Sequence, residues 1–361
     1  MPRGWILGLL CGSAFFLLGC SPNSQATPTQ EPLASELVIM HYEDGFPQAL
    51  LDKFTAETGI TITYNTFGNY EEAEQRLLDG EVADVTWMSN NNLTVLLERG
   101  LLAPIRYTNV PNFRYVNASF RDLSFDPGNK YAVPWVWGTT GLLYRSDLVK
   151  QSPVKWADLW TISRAKLAGV WQDRRTMFGM ALMSLGYSVN TSNVTEIDEA
   201  AAFLEARWDK QTFVEPIDPY TSAAALADGT LEASLGWTYD AYTGRGLNEK
   251  VVYLLPEEGT MLWLEVMLIP ANSQHRATAE AFINFLLEPE NAAIYTNAFA
   301  YATVVDGAQP FVDDAIANDV TIFPTAAMLG GAELLQPLEP SAEDALNAHW
   351  ERLMALTNKE S

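Results

Sequence analysis

The sequence predicts an α/β protein built as two lobes, and three observations predict it. Strand and helix patterns alternate from Glu36 onward. The stretch Tyr131–Tyr144 (YAVPWVWGTTGLLY) is apolar and aromatic and carries no charge. A second strand–helix series follows it, and Trp263–Pro270 (WLEVMLIP) then supplies a matching strand. A chain that leaves one lobe near Trp135–Gly141 and returns near Glu265–Ile269 joins two lobes by paired strands. The cleft between such lobes is where small ligands bind.

Composition bounds the possibilities. The chain has 361 residues, enough for one large or two medium domains with ample core. Hydrophobic residues at 48% and charged residues at 19% fit a globular protein. The formal net charge of -23 argues against a nucleic-acid partner, whose backbone demands a basic face, and suits a cationic ligand. Both cysteines, Cys11 and Cys20, fall in the first twenty residues, so the body holds no disulfide framework. His41, His275 and His349 are scattered, which speaks against a histidine metal site.

The N-terminus reads as an export signal: Arg3, an apolar run from Trp5 to Leu18, then Leu17-Leu18-Gly19-Cys20. The run is too short to span a membrane comfortably. Leu-Leu-Gly-Cys resembles a bacterial lipobox, which implies cleavage before Cys20 and lipidation of its sulfur. The signal is then 1–19, and the polar, Pro-containing segment 20–35 is a flexible tether. The expected location is the periplasm or cell surface, on a membrane anchor.

In the body, Glu36–His41 is a buried strand, and Gln48–Thr58 is a helix with Leu50, Leu51 and Phe54 on one face and Gly59 as its stop. Ile60–Phe67 alternates as a second strand, and a helix follows from Tyr70 to Asp79. Ala83–Met88 is the third strand, after which Asn92 is placed to cap a helix over Leu93–Arg99. Ligands sit outside the carboxyl ends of such strands, here His41–Gly45 and Met88–Asn92. In Tyr131–Tyr144 two buried strands meet at Gly138, and Pro134 should end the first strand or put it at an edge. Beyond it come a strand at Gly169–Trp171, helices over Thr176–Leu185, Ile197–Gln211 and Ala223–Asp228, and strands at Ala233–Trp237 and Val251–Leu255. After the return strand, helices run over Thr278–Leu287 and Glu290–Phe299, and Ser341 begins the last over Ala342–Leu356. Lobe 1 is expected to be 36–136 plus 266–305, and lobe 2 to be 137–265 plus 306–361.

Several stretches resemble the periplasmic spermidine/putrescine-binding proteins of ABC importers. They are Phe54-Thr55-Ala56-Glu57-Thr58-Gly59-Ile60, Val133-Pro134-Trp135-Val136-Trp137-Gly138, Trp156-Ala157-Asp158-Leu159-Trp160 and Met180-Ala181-Leu182 with Leu185-Gly186-Tyr187. Trp263-Leu264-Glu265, Ile269-Pro270-Ala271-Asn272 and Ile283-Asn284-Phe285-Leu286-Leu287 continue the series, in order, over nearly the whole exported chain. The resemblance implies a type II periplasmic-binding-protein fold, with a mostly parallel sheet flanked by helices in each lobe, closing on a ligand. It also implies a monomer that presents a small cationic solute to an ABC permease and uses no cofactor.

Carried over residue by residue, the family's first-loop Trp falls on Tyr42, and its nearby acid falls on Asp44, or on Glu43 after a shift by one. Its Ser after the third strand is Ser89, and the aromatic residue that follows is replaced within Asn90–Asn92, which makes Asn91 a candidate. Its second-lobe acid is Asp173, and a second acid three residues later is replaced by Thr176. Trp237, Trp263 and Tyr301 match family aromatics, and Glu265 stands for the family's Asp. Asp240, beside Trp237, is the candidate replacement for the missing acid. Carboxylates for ammonium groups and aromatic walls for methylenes make a polyamine-type site.

Enzyme readings lack support, because there is no Gly-x-Ser-x-Gly elbow, no phosphate loop and no His beside a Ser or Cys pattern. Three alternatives keep the same fold: a ferric-ion site using Tyr239 and Tyr242, a thiamine-like or other polar solute, and a sensor or assembly factor that docks a membrane partner without transport.

Overall fold

The computed structural model describes residues 31–43, 45–162, 168–171, 173–208, 213–217 and 221–358. The expected lipidation site Cys20 and the candidate Asp44 lie outside the described residues.

The chain opens with β1 (Glu36–Tyr42), α1 (Gln48–Thr58), β2 (Thr61–Phe67), α2 (Tyr70–Leu78), β3 (Val85–Ser89) and α3 (Thr94–Glu98). Next come β4 (Ala132–Arg145), α4 (Leu159–Ile162), β5 (Ala168–Trp171), α5 (Arg174–Ser184), α6 (Val194–Glu205), β6 (Phe213–Ile217) and α7 (Ser222–Asp228). They are followed by β7 (Ala233–Trp237), α8 (Thr238–Leu247), β8 (Val251–Leu254), β9 (Met261–Leu268), α9 (Arg276–Leu286) and α10 (Pro289–Phe299). The chain ends with β10 (Ala302–Thr303), α11 (Asp314–Ala317), β11 (Glu333–Leu334) and α12 (Pro340–Asn358).

The strands lie in the order β2-β1-β3-β9-β4-β7-β5-β6. Both ends of this path are parallel, with β1 between β2 and β3, and β5 between β6 and β7. The centre is antiparallel, where β9 pairs with β3 and β4, and β4 with β7. β4 and β9 are therefore the two strands that tie one parallel set to the other. Two large apolar clusters flank them. One runs from Leu37 to Val136 and from Leu264 to Ile322, around Phe54, Trp87, Trp135 and Phe282. The other gathers Trp156, Phe178, Leu204, Leu235 and Leu346. Buried apolar surface of this kind is the main stabilising term in each half.

Two local expectations are corrected. Gly138 does not separate two strands, because β4 is one strand of 14 residues. Its glycine serves packing instead: a Cβ there would lie 2.2 Å from the Trp263 indole. Pro134 neither ends β4 nor sits at an edge; the register slips between Pro134 and Val136, and that irregularity absorbs the missing N–H. Asn92 does not cap the next helix, since Asn90–Asn92 form a 3-10 turn and α3 starts at Thr94 without a side-chain cap. Asp84, expected to be structural, accepts the Val38 N–H at 2.8 Å and the Ser273 hydroxyl at 2.7 Å.

Candidate functional site

Alternation along β9 builds one wall. Side chains two apart on a strand leave the same face, so Trp263 and Glu265 point together while Leu264 goes to the core. In the sheet, Glu265 is paired with Ser89 of β3 on one side and Val136 of β4 on the other. Trp263 is paired with Gly138, and Trp237 of β7 with Thr140. The central antiparallel strands thus bring residues from both halves to one place. They line a cavity of about 340 Å³, large enough for a small organic solute.

Two aromatic groups face it. Tyr42, the last residue of β1, packs on Tyr70 at 4.8 Å in T-shaped geometry. Trp263 meets Tyr301 edge to face at 5.0 Å. Such rings bury methylene groups and offer their negative faces to a cation. Glu265 lies between strands, 7% exposed, and its Oε1 accepts the Tyr70 hydroxyl at 3.2 Å.

The far side comes from the start of α5. Asp173 is the N-cap, accepting the Thr176 N–H and hydroxyl, each at 3.1 Å. Its partner is therefore Thr176, not a neighbouring arginine. Arg174 pairs with Glu343 and Asn347 of α12. Arg175 is buried and donates to the Gln336 carbonyl at 3.0 Å; burial holds its guanidinium down to about 10. The lining carboxylates are Glu71, Asp173 and Glu265, and the lining guanidiniums are Arg174 and Arg175. Among the described residues, no group of three His, Cys, Asp or Glu side chains could hold a metal ion.

A central antiparallel seam, a cavity at that seam and a sequence matched from end to end decide the family. The family model described as bacterial extracellular solute-binding protein matches residues 49–325. The chain belongs to this family. It is 29% identical over 301 residues to the spermidine/putrescine-binding periplasmic protein of Escherichia coli (strain K12), covering 82% of this chain and 85% of that one. It is 29% identical over 341 residues to the putrescine-binding periplasmic protein SpuD of Pseudomonas aeruginosa (strain UCBPP-PA14), covering 88% and 91%. A putative spermidine/putrescine ABC transporter structure from Listeria monocytogenes superposes with a TM-score of 0.82 at 28% identity, covering 90% of this chain and 100% of that one. The fold is the two-lobe α/β fold of periplasmic binding proteins.

In this solute-binding protein, the cavity gathers Tyr42, Ser89, Asn91, Asp173, Trp237, Trp263, Glu265 and Tyr301 from the residues singled out in the sequence. Two others go elsewhere. Glu43 is exposed and does not line the cavity. Asp240 is buried as the third residue of α8, where its Oδ2 accepts the Trp237 N–H at 2.8 Å; helix capping, not the cavity, holds it. Tyr239 packs on Phe299 and Tyr301, and Tyr242 is exposed; neither lines the cavity. Sequence reasoning missed Tyr70, Thr140, Tyr295 and the lining role of both arginines. The signal for Tyr70 was its place just past the carboxyl end of β2, beside Tyr42 in the neighbouring strand.

Proposed function

We propose that this protein is the extracytoplasmic binding component of an ABC importer and that its ligand is a polyamine-class cation. The observation that carries the reading is Glu265, a buried carboxylate in the cavity wall beside the aromatic pair Trp263 and Tyr301. An ammonium taken from water needs such a partner, and the rings suit the methylene chain that follows it. The names of the relatives above support the same ligand class.

The mechanism proposed is lobe closure without chemistry. Tyr42, Tyr70 and Ser89 come from one half, Asp173 and Trp237 from the other, and Glu265 from the seam. A ligand touching both halves stabilises the closed form, which the permease would recognise. The lobe boundaries proposed follow the apolar clusters, which moves Val312, Ile316 and Ile322 from the second lobe to the first. Lipidation at Cys20 would hold the protein at the membrane on its 20–35 tether. Loss of a labelled acyl chain in Cys20→Ala would test that anchor.

The test of the ligand is a thermal-shift series on the soluble domain with putrescine, spermidine, spermine and neutral sugars. A ligand at one hundred times its dissociation constant adds about 2.7 kcal/mol. Stabilisation by amines alone is the expected result, and a sugar that stabilises where amines do not would overturn the reading.

A further inference from the structure

We infer that His41 is a specificity-determining residue whose Nε2 lone pair accepts an N–H from the bound amine. The inference rests on the amine reading above and adds a group that the sequence comparison did not single out. His41 stands at the carboxyl end of β1, lines the cavity and is 2% exposed.

The tautomer follows from its neighbours. Nδ1 lies 3.4 Å from the Tyr42 carbonyl oxygen and 3.4 Å from the Tyr64 hydroxyl oxygen. A carbonyl oxygen can only accept. The Tyr64 hydroxyl donates its own proton to that same carbonyl at 3.2 Å, so it too offers Nδ1 a lone pair. Both contacts call for a proton on Nδ1, which leaves Nε2 of the neutral ring as an acceptor.

That acceptor is buried and, among the described residues, has no hydrogen-bond partner. A buried polar atom left so is costly unless something else satisfies it. The ring is wedged edge-on against Trp87 at 4.9 Å and Phe46 at 5.3 Å, so it is not free to turn toward another donor. Burial also holds the imidazole down to about 4, so the ring is neutral at pH 7 and does not repel a cation. A fixed lone pair in the cavity wall selects a solute that presents N–H groups.

The experiment titrates putrescine into wild type, His41→Phe and His41→Gln by calorimetry. His41→Phe keeps a flat ring without the acceptor, and His41→Gln keeps a side-chain oxygen. The expected loss for His41→Phe is about tenfold, with partial recovery in His41→Gln. Nitrogen-15 spectra of the wild-type imidazoles need no variant to fold. On adding putrescine, the unprotonated Nε2 signal of His41 should move as it gains a donor. If wild type binds putrescine while His41→Phe binds equally well, or while the Nε2 signal stays put, the inference is overturned and the amine reading stands. If wild type binds no amine at all, both fall together.

Discussion

The Tyr70 hydroxyl donates to Glu265 Oε1 at 3.2 Å, joining the first turn of α2 to the central strand β9. The contact orients a buried carboxylate toward the cavity before any ligand arrives. Neutralising it should therefore be costly. Glu265→Gln is expected to weaken putrescine binding by about tenfold or more, since bonds to charged groups are the strong ones. Ser89→Ala should cost less than about threefold, because the Ser89 hydroxyl already donates to Asn91 Oδ1 at 2.6 Å. Calorimetric titration of both variants checks the order, and equal small losses would argue against a charge-based site.

Trp263 occupies the space above Gly138, where a Cβ would come within 2.2 Å of the indole. Gly138→Ala must push the ring aside or bend β4. The expected cost is about 1–3 kcal/mol of stability, as for other overpacked sites. Binding should weaken as well, because Trp263 is a cavity wall. Denaturant unfolding together with a putrescine titration reads both effects, and a variant unchanged in each would show that the indole is not held there.

The pH dependence of folding should carry a mark of His41. Its folded-state value is lowered from 6.5 to about 4 by burial. Between those values the unfolded chain holds a proton that the native chain lacks, so stability rises with pH there. The contribution is complete above pH 6.5 and is lost as pH falls toward about 4, up to about 3 kcal/mol. Denaturation of wild type and His41→Phe across that range isolates it, and parallel curves would disprove the assignment.

Asp240 should prove structural. Its carboxylate accepts the Trp237 N–H at the start of α8. Asp240→Ala is expected to lower stability by about 1 kcal/mol, a usual cost for a lost cap. Putrescine affinity should stay within about twofold, as measured by calorimetry. A tenfold loss in a well-folded variant would return Asp240 to the site.

Much of the candidate site was legible because strand alternation is local. Trp-Leu-Glu at 263–265 states in three letters that Trp263 and Glu265 share a face and Leu264 does not. The α1 boundaries were legible for the same kind of reason: an apolar face and a stop at Gly59, whose φ of 74° suits glycine. Asp173 and Asp240 illustrate the limit. Both are acids that follow a strand and open a helix, and both cap backbone N–H groups. Only Asp173 lines the cavity, because α5 and α8 meet the sheet at different places. No local pattern carries that difference.

The sequence by itself determined the element types, the return strand and the residues that share a face, since propensity and periodicity act over a few neighbours. Tertiary structure alone decided which of those faces meet. The order β3-β9-β4-β7 brings Ser89, Glu265 and Trp237 to one cavity from positions far apart in the chain. It also set Tyr70 against Glu265, buried Arg175 in the wall and left His41 Nε2 without a protein donor. Convergence of that kind depends on how whole strands pair and pack, a balance of buried surface and hydrogen bonds that no short segment contains.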